Sequence, residues 1–134
     1  MASALFRREI RRRLLATIDA AIETYLQRRF SWLDAFSTPL PGTIREAIGV
    51  LAEAVERDEP AHYVKYAAIS ARHLVEQGVP PITVLVMADL LYEAILHQLT
   101  PEQGALVTSV TEAARLHCQT LMFHLVIEQE QKGA

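Results

Sequence analysis

The sequence predicts an all-α domain of six helices, the last of them long enough to project beyond the bundle. Three observations carry this expectation. Apolar residues recur at steps of three and four, the period of one helix face, and no stretch alternates as a strand would. The five glycines and six prolines punctuate the chain into helix-length pieces. A length of 134 residues with 51% hydrophobic content suits one domain, residues 1–134, with a core of its own.

The elements follow in order. Residues 4–29 contain no Gly or Pro, and Leu5, Ile10, Leu14, Ile18, Ile22 and Tyr25 lie on one face, so a single long helix is expected. Residues 30–36 continue as a short segment rich in large apolar groups (Trp32, Leu33, Phe36), and residues 37–42 read as a loop. A second long helix spans 43–57, with Ile44, Ile48, Leu51 and Val55 inward. Pro60 then opens a helix that runs to about Gln77, with Tyr63, Tyr66, Ser70, His73 and Leu74 along one side and Gly78 as the residue just past its end. After the Val79-Pro80-Pro81 corner, Pro81 starts a helix through Leu99. Thr100-Pro101-Glu102-Gln103 is a capping box, threonine at the cap and glutamine three residues on, and the helix behind it reaches about Gln131. At 1.5 Å per residue that helix is roughly 46 Å long, well beyond a folded radius of gyration of roughly 14 Å.

Charge and composition exclude several classes. The longest uncharged runs are about half the length needed to span a bilayer, and Arg11-Arg12-Arg13 interrupts any signal-peptide apolar region, so neither a membrane nor export is expected. The single cysteine, Cys118, forms no internal disulfide and fits a reducing, cytoplasmic setting. The net charge of -3 is unevenly spread: residues 1–29 balance at +4 and the remainder at -7. The basic helix lacks interleaved aromatic residues and the rest of the chain is acidic, which argues against nucleic acid. The asymmetry reads instead as an assembly feature, a basic helix against an acidic body in its own subunit or a partner.

No constellation for catalysis is legible. Glycine-rich phosphate loops and His-Glu-x-x-His are absent, and Glu93 and His97 stand at the wrong spacing for a diiron bundle. His117 and Cys118 are sequence neighbours that face different directions on a helix, unlike a catalytic pair. The carboxylates Glu53, Glu56, Asp58 and Glu59 cluster at a helix end and read as a solvated face. His117 and His124 share a face with Val110, Ala114 and Leu121, as core or interface histidines do, with a haem ligand or a pH-sensitive contact as the sharper reading.

The stretch from Ala71 to Leu85, a helix bearing His73 and ending at Gly78 before a Val-Pro-Pro corner, resembles the F–G corner of a globin-like fold. It is similar to two related families, the haem-binding globin-coupled sensors and the non-haem globin-like N-terminal domain of RsbR-type stressosome proteins. The segment around Trp32 and Phe36 resembles a short aromatic turn found in both. His73 stands five residues before Gly78, where the haem family has its histidine four before, which rotates the ring by about 100° and favours the non-haem family.

The resemblance implies a non-enzymatic, globin-like sensor module in stress signalling, with no cofactor. It implies a homodimer paired through the N-terminal helix and the last two helices, and a terminal helix that continues from residues 128–134 as a linker into an output domain of STAS type. The chain is then either an excised domain or a standalone sensor. Val107, Val110, Ala114, His117, Leu121 and Leu125 are the expected inter-subunit residues. The competing expectation is a haem-dependent gas sensor with His73 as proximal ligand.

Overall fold

A computed structural model describes residues 2–28 and 41–133. Every element among them is an α-helix: α1 (Ala4–Ala16), α2 (Ile18–Arg28), α3 (Pro41–Arg57), α4 (Pro60–Glu76), α5 (Pro81–Leu96) and α6 (Pro101–Gly133). The all-α expectation holds, with the long C-terminal helix in place. The short aromatic segment 30–36 lies outside the described residues, as does most of the loop expected after it.

Four of the six helices begin on a proline, at 41, 60, 81 and 101. A missing N–H costs nothing in a first turn, and the fixed φ of the ring is already helical. The capping box at α6 forms as read: the Gln103 N–H donates to the Thr100 hydroxyl at 3.3 Å, and the Thr100 N–H donates to the Gln103 side-chain oxygen at 3.1 Å.

Helix α4 ends in a Schellman motif. Gly78 takes φ +99°, its N–H donates to the Val75 carbonyl, and the Val79 N–H reaches back to Leu74. The buried Val79 and the half-buried Leu74 join the same apolar cluster, which adds the hydrophobic contact such ends carry. The same pattern closes α3 with an aspartate in the glycine position: Asp58 has φ 53°, and the Asp58 and Glu59 N–H groups donate to Val55 and Ala54. Aspartate tolerates this region better than most residues.

The expected single helix over 4–29 is two. Thr17 breaks it: both its N–H and its hydroxyl donate to the Arg13 carbonyl, at 3.0 and 2.7 Å, and its backbone leaves the helical region. A threonine bonding back onto the preceding turn bends a helix without any Gly or Pro. The break has a packing consequence. Helix α1 lies mainly along α3, whereas α2 lies mainly against α5, two partners that one straight rod of this length does not serve equally.

The most extensive pairings are α4 with α6 and α1 with α3. Two apolar clusters result. The larger draws on all six helices, with Ile10, Leu14, Ile44, Ile48, Leu51 and Val55 fully buried at its centre. Each such side chain contributes roughly 1.5–3 kcal/mol by leaving water. The smaller consists of Ala71, Val79, Val84, Met87, Cys118 and Met122, contributed by α4, the corner after it, α5 and α6.

The basic surface of α1 is engaged within the chain. Arg11 pairs with Glu53 at 2.9 Å and Glu56 at 2.8 Å on α3, and Arg7 donates to the Glu56 carbonyl. Arg13 donates to the Gln98 carbonyl in the α5–α6 turn. Exposed pairs of this kind add little stability, but they set the register of α1 on the body. No helix among the described residues is long and apolar enough to cross a membrane.

A four-tyrosine cavity and the outer face of the last helix

All four tyrosines of the chain line one cavity of about 120 Å³ at the seam of the two clusters. Tyr25 comes from α2, Tyr63 and Tyr66 from α4, and Tyr92 from α5; α3 adds Thr43, Ile44 and Ala47, and α6 adds Cys118. Tyr63, Tyr66 and Ser70 share one side of α4 because steps of three and four residues stack along a helix face. No described lining residue is charged.

Two pairs of polar groups meet in the cavity wall, Tyr63 with Tyr92 and Tyr66 with Ser70. The Tyr63 hydroxyl donates to the Tyr92 hydroxyl at 3.0 Å, with the rings edge to face at 6.5 Å between centroids. Burial raises the pKa of Tyr63 well above the usual tyrosine value, and the Tyr92 charge opposes ionisation further. Burial is also the main reason the Tyr92 and Tyr66 hydroxyls titrate high; a bond to Ser70 draws Tyr66 partly back. The Cys118 thiol is pushed up by burial alone, which keeps it protonated and a poor nucleophile at neutral pH.

The structure separates the site residues expected from sequence. His73 is exposed on the outer side of α4, its ring nitrogen 3.1 Å from the Gln77 amide, and it borders a surface groove with Arg72, Glu76 and His117. The cavity wall contains no histidine among the described residues, and about 120 Å³ is room for one small ring and not for a macrocycle. A haem ligated by His73 does not fit these residues. No group of three or more His, Cys, Asp or Glu among the described residues is placed to hold a metal ion, and the acidic cluster near the end of α3 contains the partners of Arg11.

The expected inter-subunit residues divide as well, and three of them need correction. Val107 (2% exposed), Val110 (4%) and Ala114 (0%) are buried in the core of their own chain, leaving no surface for a second one. Leu121 and Leu125 are half-buried against the smaller cluster. His117 is exposed in a groove between α4 and α6, beside Ala68, Ile69 and Ala113.

The apolar surface that α6 presents outward lies on its opposite side. Leu116 is 57% exposed and Phe123, two turns on, is 65% exposed; Val126 follows them. Residues 116–127 contain no Asp, Glu, Lys or Arg. From Glu128 to Gly133 every residue is exposed.

The tyrosine cluster was missed at the sequence level because each ring reads singly as one more apolar position. The available signal was that Tyr, unlike Leu or Ile, brings a hydroxyl into a core and needs a partner there. Comparisons with family models, with curated proteins and with solved structures each find no match to this chain.

Proposed function

We propose that this chain is a non-enzymatic sensory module that pairs with a second copy of itself and relays a change in core packing along α6. The observation that carries the reading is the continuity of α6. One helix of 33 residues contributes Val107, Val110 and Ala114 to the larger cluster, and Cys118 and Met122 to the smaller. It then runs on to Gly133 past its last buried residue, Met122. A change in packing around Cys118 therefore acts on the same rigid element that leaves the body. Such a relay needs an input that favours one packing over the other, since only differential affinity shifts an equilibrium.

The second copy belongs on the outer face of α6, at Leu116 and Phe123. In a two-fold contact each residue meets the same patch on its partner. The uncharged run 116–127 brings no like charges together in that arrangement, and burying its exposed apolar groups is favourable. The output domain, of STAS type in stress signalling, is the part of the reading that rests on the family resemblance. The protonated, buried Cys118 supports a non-catalytic role.

Sedimentation of the purified chain at micromolar concentration tests this. The wild type is expected to run as a dimer and Phe123→Glu as a monomer with an unchanged helical circular-dichroism spectrum. A monomeric wild type overturns the reading.

A further inference from the structure

The cavity wall defines a ligand by its size, its charge and its rings. An apolar cavity of about 150 Å³ in another protein admits benzene, so about 120 Å³ is on the scale of a single small ring. A charged ligand finds no counter-charge among the described lining residues, and burying an unpaired charge is prohibitive. Four tyrosine rings and the Met87 thioether surround the space, and aromatic edges and sulfur both favour an aromatic guest. One polar interaction is also on offer. The Tyr63 hydroxyl is committed as donor to Tyr92, which leaves the Tyr92 hydroxyl hydrogen to point elsewhere.

We propose that the four-tyrosine cavity binds a neutral, single-ring aromatic molecule bearing one hydroxyl, of which phenol is the simplest. The hydroxyl oxygen of the ligand accepts from Tyr92, and its ring lies among the tyrosines. Burial keeps Tyr63 and Tyr92 protonated through the neutral range, so the donor relay persists there. The site stands on the cavity alone; it rests on the sensory reading only for what binding then does to α6.

The full chain allows a direct test, because its one cysteine lies in the cavity wall. Titration calorimetry with phenol is expected to show saturable one-to-one binding, and saturating phenol is expected to slow methylthiolation of Cys118 by methyl methanethiosulfonate, which forms a mixed disulfide and releases methanesulfinate, at least tenfold. Benzoate at the same concentration is expected to do neither. Ala71→Leu fills the space and is expected to weaken phenol binding at least tenfold; Ala88→Leu does the same from α5 should the first variant fail to fold. Failure of phenol to bind, equal binding of benzoate, or undiminished binding in both folded variants overturns the site. Sedimentation on the same samples separates the two ideas. Phenol binding by a monomeric chain supports the site and removes the dimeric sensory reading, whereas an intact dimer that binds no phenol removes the site.

Discussion

Around Ile48 and Leu51 the core is built mostly of branched aliphatic side chains, with alanines and two tyrosines among them; around Cys118 it is made of Met87, Met122, Ala71, two valines and the cysteine. Branched side chains interlock in few rotamers, and a core at that density yields little. Methionine has three rotatable bonds and adapts to irregular space. The cavity sits where the first kind of packing gives way to the second. Helix α6 crosses both, so it is gripped along its first half and held more loosely from Cys118 onward. The contrast sets a frame of interlocked side chains beside a pocket lined by more adaptable ones.

Truncation should separate the regions most strongly. Leu51→Ala is expected to cost about 3–4 kcal/mol, because the surrounding branched residues cannot close the void, whereas Met122→Ala is expected to fall near 2 kcal/mol. Urea unfolding with an unchanged slope reads both, and equal costs would break the distinction. Enlargement is the converse experiment. Ala52→Leu, in the filled cluster, should cost about 1–3 kcal/mol through overpacking, while Ala71→Leu, facing the cavity, should cost less than about 1 kcal/mol.

The smallest effect sharpens the comparison through pH. Tyr63 in the folded chain holds its proton above the unfolded value of about 10. Its contribution is thus fully present below pH about 10 and is lost as pH rises through the folded value, at up to about 1.4 kcal/mol per unit. Tyr63→Phe should lessen that alkaline loss between pH 10 and pH 11, by about 1 kcal/mol, in urea unfolding. It should also cost about 1 kcal/mol at neutral pH through the lost bond to Tyr92. An identical alkaline slope in both proteins would place the tyrosine pair outside the compliant region's energetics.

Helix boundaries were legible wherever they are written in backbone chemistry. Pro60, Pro81, the Thr100–Gln103 box and Gly78 act over a few residues, so their spacing alone locates them. The break at Thr17 was not, since a threonine in a helix bonds back or not according to what its two flanking segments pack against. Asp58 read as part of a solvated acidic helix end, because its left-handed backbone leaves no mark on composition. Helix α6 carries apolar residues on opposite sides, and sequence periodicity does not say which stripe meets the core of its own chain. Val107, Val110 and Ala114 therefore went to the wrong surface, and Leu116 and Phe123 were passed over. The tyrosine cavity needed five helices brought together before it existed at all.

The unbroken run of α6 also has a mechanical meaning. From Cys118 to Gly133 there are fifteen residue steps, about 22 Å of rigid rod. A bend of about 10° at Cys118, with the first half of the helix held in place, would sweep the far tip through about 4 Å, a displacement near the width of a side chain. In the proposed relay, that displacement is what a neighbouring protein surface would register.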